Sequence, residues 1–270
     1  MPSNPSPSGD TSPEVLLERR GAVGIVTLNR QATRNPLTFT IGDAMMDVLD
    51  EAERDDDLRA LVLTGSGTVF RSGAEFGKLV NPDGVETEKQ FRAVRSHNRM
   101  VQRMAEVDLP IIAAVNGPAV GGGAALALAC DLAIAAEEAT YYFAFGRIGL
   151  GGCDMGAGYK LPRIVGTMRA AHWLLTGATI AAKEGKEAGM FLDVVPRASL
   201  LERAVEIGQK IAAAAPRRAS AITKLSLLRA ADTDLQTVLG YEAYAQNYMF
   251  KREDHPTQLR ALMQQLKERR

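Results

Sequence analysis

PIIAAVNGPAVGGGAALALACD, residues 110–131, is the stretch on which the fold turns. It opens with an apolar run, Ile111–Val115, that reads as a buried strand. Asn116-Gly117-Pro118 then forces a turn, and three glycines, Gly121 to Gly123, open a helix of small residues that runs to Ala129. No charge falls between Leu109 and Cys130. The prolines and glycines nevertheless break any membrane-spanning helix there, leaving a strand, a turn and a buried helix. Glycine lets a ligand approach the backbone with no Cβ in the way. The first N–H groups of a helix have no internal partner and sit at the positive end of its dipole. They suit an anion, or a carbonyl oxygen becoming one. Close packing of helices on Gly and Ala would use the same residues. The two common Gly-rich explanations are absent: no Lys-Ser/Thr follows as in a phosphate loop, and the spacing is not GxGxxG.

Working outward, a second glycine turn lies upstream, at Phe70-Arg71-Ser72-Gly73-Ala74-Glu75-Phe76. It follows a strand at Arg59–Thr64, closed by Gly65-Ser66-Gly67, and a short strand expected at Val69–Ser72. Two strand-to-helix turns can each aim one backbone N–H at a single oxygen. Such an oxyanion hole is worth about 3–4 kcal/mol per donor in the transition state. Val15–Leu17 and Val23–Leu28 flank Gly21 as a hairpin. Ile41–Glu53 and Val85–Val107 have helical spacing, and Asp131–Ala135 and Thr140–Phe143 read as strands. The order strand, strand, helix recurs, which predicts a β-β-α superstructure spanning residues 14–197. After Pro196 the texture changes to consecutive helices at Leu200–Ala214, Ala219–Ala230, Leu235–Phe250 and Pro256–Arg269. Short helices of this kind bury poorly alone, so residues 198–270 are expected to pack on another subunit.

The chain has 270 residues, 46% hydrophobic and 24% charged, enough for one large domain with a sizeable core. Thirty-two basic residues balance 32 acidic ones, which argues against nucleic-acid binding through bulk positive charge. Cys130 and Cys153 are too few for a disulfide framework or a cysteine-rich zinc site, so a reduced cytoplasmic setting is expected. The opening MPSNPSPSGDTSPE is rich in Pro, Ser and Asn; residues 1–13 read as a disordered tail, not a secretory signal or membrane anchor. His97, His172 and His255 are scattered and form no HxxxH or HExxH, so no metal is expected. His97 reads as a surface histidine and His172, beside Trp173, as a packing residue.

VFRSGAEF at residues 69–76, followed by AAVNGPAVGGGAALALACDLAIA at 113–135, resembles the crotonase, or enoyl-CoA hydratase/isomerase, superfamily. VTLNRQATRNPL, RALVLTGSG, KLPRIVG at 160–166, LLTG at 174–177 and AKEGKEAGMFLDVVP at 182–196 extend the resemblance over nearly the whole chain. The resemblance implies an α/β fold of the crotonase type: a β-β-α spiral with a C-terminal helical trimerisation region. It implies an acyl-CoA substrate, no tightly bound cofactor (coenzyme A enters as part of the substrate) and a homotrimer or dimer of trimers. The thioester carbonyl would be polarised by the N–H groups of Ala74 and Gly122. Arg30 and Arg34, after the first strands, would approach the pyrophosphate. Ser72 and Phe76 would flank the adenine side, and Gly121 and Phe145 would also contact the substrate.

The sequence departs from the hydratases of that family. Their two catalytic glutamates fall at Ala125 and Phe145 here, and neither side chain moves a proton. Asp154, in Gly151-Gly152-Cys153-Asp154-Met155-Gly156, stands where some branches keep a functional aspartate. In enoyl-CoA isomerases that aspartate shuttles a proton; in aromatic-CoA dehalogenases it is the nucleophile. An Asp in a glycine loop between apolar elements is poorly solvated, which raises its proton affinity and suits an acid/base. Equally, Asp154 reads as a helix N-cap. In the dehalogenases a catalytic histidine lies near His97, at the position matched here by Asn98. Tyr141, Tyr142, Phe143 and Phe145 divide between core packing and the wall of an acyl pocket. The expected activity is double-bond isomerisation, or hydration, of an enoyl-CoA through a stabilised enolate. The alternatives are a hydrolase or dehalogenase with Asp154 as nucleophile, and a CoA-ester-binding protein without catalysis.

Overall fold

The computed structural model describes residues 12–74 and 87–268. Its larger sheet has six strands in the order β1-β2-β3-β4-β6-β9. β1 (Val15–Arg20) and β2 (Val23–Leu28) form the antiparallel hairpin about Gly21. β3 (Ala60–Gly65), β4 (Ile111–Val115), β6 (Leu132–Ala136) and β9 (Asp193–Val195) follow in parallel. Every residue of β4 is buried, as an apolar run covered on both faces requires. A second sheet joins β5 (Ala119–Val120), β7 (Thr140–Tyr142) and β8 (Thr179–Ala181).

The two sheets are linked turn by turn. β4 continues into β5, and β6 into β7. β3 is followed by Arg71, which bridges Ala119 in parallel. Each turn of the chain thus lays one segment on each sheet before a helix. Those helices include α1 (Ile41–Arg54), α2 (Thr87–Glu106), α3 (Gly122–Ala129), α4 (Ala157–Val165), α5 (Thr167–Thr176) and α6 (Ala182–Glu187). α1 buries Ile41, Met45, Val48, Leu49 and Ala52 at helical spacing and packs on β1 and α2.

The short strand expected at Val69–Ser72 does not form; only Arg71 pairs. Its neighbours are bonded to a loop instead. The buried Asn35 amide donates to the carbonyls of Ser66 and Val69 at 3.0 and 2.8 Å, and Ser72 N–H donates to Arg34 O at 3.1 Å. Asn116 ties the other end of the turn, its amide donating to Gly65 O and Gly67 O at 2.9 Å each.

After Pro196 come α7 (Arg197–Ala214), α8 (Arg217–Ala230), α9 (Leu235–Phe250) and α10 (His255–Glu268). α7 lies across β2, β3, β4 and β6 and closes the core. α9 buries no residue. Among the described residues no helix is long and apolar enough to cross a membrane, and no group of three metal-ligating side chains occurs. Residues 1–11, most of the expected tail, lie outside the described residues. Ser12 and Pro13 accept hydrogen bonds from the Arg30 guanidinium.

Candidate active site

The two glycine turns adjoin. Gly73 has φ +85°, and a Cβ placed there would meet Val120 O at 2.9 Å, so only glycine lets the first turn lie on the second. Leu37 N–H pins Gly73 O at 2.6 Å. Gly121, at φ 53° and ψ −118°, bends the chain from β5 into α3, and no side chain caps that helix. Neither Ala74 N–H nor Gly122 N–H donates to another group among the described residues. Both donors are therefore open where the turns meet.

Ala74, Gly121, Gly122, Phe145 and Asp154 line one cavity of about 120 Å³. Leu37, Phe39, Ala93, Val94, Ile148 and Leu150 make most of its apolar wall. Tyr141 and Phe143, by contrast, are core residues, with the Tyr141 ring 5.2 Å from that of Phe191 in an edge contact.

Asp154 is half-buried. Its Oδ1 accepts Met155 N–H at 2.8 Å, and its Oδ2 has no partner among the described residues. The capping alternative fails: α4 has Gly156 as N-cap with no side-chain hydrogen bond, and only the Asp154 backbone carbonyl reaches Ala157 N–H, at 3.0 Å. Met155 has φ +48° and is 3% exposed. A left-handed non-glycine residue costs about 1–2 kcal/mol, held here by burial of the Met155 side chain beside Gly122. The strain sits one residue from the carboxylate.

His97 overturns the surface reading. It is 6% exposed and lines the same cavity, whereas Asn98 is exposed. Its Nε2 is 2.9 Å from Thr38 O. A carbonyl only accepts, so Nε2 carries the proton and the lone pair of the neutral ring is on Nδ1. Burial lowers the His97 pKa, and the Arg71 charge lowers it further; the Thr38 bond and the carboxylates of Asp154 and Asp43 oppose this. The signal was present in α2: Ala93, His97, Met100 and Met104 share one face, and all four are buried. His172 is likewise not packed inside; it is exposed while Trp173 is buried.

Arg71 was also not anticipated. It is 0% exposed; its Nη2 donates to Pro36 O at 2.8 Å, while Nε and Nη1 have no hydrogen-bond partner among the described residues. Burial pushes its guanidinium down to about 9. A Cβ on Gly123 would meet Arg71 Cβ at 2.7 Å, so the stem of Arg71 packs directly against the start of α3.

Arg30, Arg34 and Ser72, expected at the CoA end, are not in the cavity wall. Arg34 is exposed, and its carbonyl bond to Ser72 N–H makes those two positions neighbours. The Arg30 guanidinium is turned toward the chain's own Ser12 carbonyl, at 2.6 Å, and Glu14, at 3.8 Å. Phe76 and Glu75 lie outside the described residues.

A family model described as enoyl-CoA hydratase/isomerase matches residues 18–270. The chain is 34% identical over 208 residues to 4-chlorobenzoyl coenzyme A dehalogenase-2 of Arthrobacter sp, covering 77% of this chain and 75% of that one. It is 35% identical over 199 residues to 1,2-epoxyphenylacetyl-CoA isomerase of Escherichia coli, covering 73% and 76%. The crystal structure of an enoyl-CoA hydratase from Bacillus anthracis superposes with a TM-score of 0.87 at 30% identity, over 93% of this chain and 96% of that one.

Proposed function

The chain belongs to the enoyl-CoA hydratase/isomerase family, and from that premise we propose that it isomerises the double bond of an enoyl-CoA thioester. The N–H groups of Ala74 and Gly122 receive the thioester oxygen. They stabilise it more as the enolate forms than in the ground state, which is what accelerates a reaction. Asp154 takes a proton from the carbon α or γ to the carbonyl and returns it at the other end of the allylic system. One base used twice is sufficient, and no resident cofactor is invoked. The observation that carries this reading is a carboxylate sharing a cavity with two open backbone donors and not spent on a helix cap. Two-glutamate hydration draws no support from Ala125 and Phe145.

The test is a panel of 2- and 3-enoyl-CoAs in heavy water with wild type and Asp154→Asn. Deuterium is expected at the α or γ carbon, with turnover reduced about 10²–10⁴-fold in the variant, the range for a general acid–base. Turnover unaffected by the substitution removes Asp154 as the base.

The position of His97 favours one second reading, in which Asp154 attacks the acyl group of the substrate. The carboxylate oxygen displaces CoA thiolate from the acyl carbon to give a mixed anhydride, or displaces halide from the ring of an aromatic acyl group to give an aryl ester; a water that gives its proton to His97 Nδ1 then hydrolyses the intermediate and frees Asp154. A covalent adduct on Asp154, seen by mass spectrometry in the His97→Gln variant, is its signature. The relatives named as dehalogenases belong on this side.

We also assign α8 to α10 to self-association, as a homotrimer or dimer of trimers. Leu235, Leu239, Tyr244, Tyr248 and Phe250 of α9 are exposed in the single chain, which supports this. Free Cys130 and Cys153 support a reducing, cytoplasmic setting.

A further inference from the structure

Beside the active-site cavity lies a groove of about 450 Å³ with Lys89, Arg92, Arg95 and Arg99 of α2 in its lining. Its only lining carboxylate among the described residues is Asp43, which accepts the Ser96 hydroxyl at 2.6 Å. In a chain of zero net charge this is a local concentration of positive charge. Arg92 is paired with Glu88 at 3.0 Å, but Lys89, Arg95 and Arg99 make no ion pair among the described residues. The same helix does neutralise a cation one turn on, where Arg103 meets Asp50 and Glu53 at 2.9 and 2.6 Å. Like charges at this spacing repel, and an anion in the groove relieves them.

Phe39 and Ala93 line both the groove and the cavity. The Lys89 ammonium stands 5.5 Å over the Phe39 ring. An acyl chain that starts at the oxyanion donors and runs along Val94 and Phe39 therefore ends among cations.

We propose that the acyl group taken by this site carries a terminal carboxylate, which the α2 groove receives, so that the substrate is the CoA monoester of a dicarboxylic acid. This rests on the assignment of the cavity to an acyl-CoA. A carboxylate matches the planar fork of an arginine, and the apolar wall before it suits the intervening methylenes.

The test is calorimetric titration of the full chain with adipyl-CoA and hexanoyl-CoA, saturated thioesters that cannot be isomerised. Both carry the same coenzyme A and six acyl carbons, so the ratio of their affinities reports the acyl terminus alone. The carboxylated ester is expected to bind about tenfold more tightly at low salt, from several partly exposed ion pairs in one concave site. The ratio should fall to about one in Arg95→Gln/Arg99→Gln, whose melting temperature checks its folding, and should shrink as salt is raised. Lys89→Gln, about two to three turns away, should lower the ratio in part. A preference for hexanoyl-CoA overturns the proposal, as does a ratio that the substitutions leave unchanged; either leaves the isomerase reading intact. Binding of neither thioester overturns the acyl-CoA assignment and this proposal together.

Discussion

A single histidine carries most of the difference between the site read from sequence and the site as folded. Asp154, Ala74 and Gly122 were legible because glycine punctuation and a family resemblance locate them along the chain. His97 is not, because the resemblance places the family's histidine at Asn98, while the helix face that buries His97 shows only in the spacing of Ala93, Met100 and Met104. Arg71 was illegible for another reason: arginine is almost never wholly buried, so nothing in its surroundings predicts it. The burial of His97 has a pH consequence. Its folded pKa is lowered, so the unfolded chain binds this proton first as pH falls below about 6.5. Stability contributed by the neutral ring is complete above that pH and is lost below it, at up to about 1.4 kcal/mol per pH unit. Urea unfolding of wild type and His97→Gln at pH 7 and pH 5 measures this. The variant should lose less stability on acidification, and an equal loss would show that another group governs the acid limb.

The elements divide by the strength of their periodicity. β2, β3 and β4, α1, and α9 at Leu235–Phe250 fall within a residue or so of where the pattern puts them. The Val69–Ser72 strand does not form because a strand needs a partner: the Asn35 amide takes the Val69 carbonyl, and only Arg71 pairs, with Ala119. β5 and β9, two and three residues long, are set by their neighbours and carry no pattern of their own. α3 is the element on which the site depends most. At Gly123 an added Cβ would lie 2.7 Å from Arg71 Cβ and 2.8 Å from Arg71 O, neither of which can swing aside. Gly123→Ala should therefore cost about 2–3 kcal/mol and reduce turnover, from overpacking against a fixed backbone. Gly146→Ala, with nothing within 4 Å, should be close to neutral in the same melting experiment.

The whole molecule holds its helical end to its body partly through one buried ion. Lys224 of α8 donates to Met104 O at 2.7 Å and Leu109 O at 3.1 Å and lies 3.0 Å from Asp131 Oδ2. Burial lowers its pKa, and Asp131 opposes that. Lys224→Met should cost about 3 kcal/mol in chemical unfolding, because two buried carbonyls lose their donor and Asp131 loses its cation, keeping only the Ile111 N–H at 2.8 Å. Beyond that anchor the outer face is apolar, with Leu259, Leu262, Met263 and Leu266 of α10 roughly half exposed. Sedimentation equilibrium should give about three or six times the 29.0 kDa chain mass, and a monomer at micromolar concentration would refute the assembly assigned above. The helical character of this region was plain in the sequence; which surface covers it was not, because periodicity marks an apolar face without naming its neighbour.

The two donors proposed to hold the thioester oxygen belong to the main chain, and an amide hydrogen has no codon. Replacing Ala74 or Gly122 reshapes the mouth of the pocket but keeps the N–H, unless proline enters. Heredity can therefore revise Asp154, His97, Ala125 and Phe145 one at a time while the electrophilic socket persists. A lineage built this way can exchange one thioester reaction for another without ever passing through an ancestor that has lost its grip on the carbonyl.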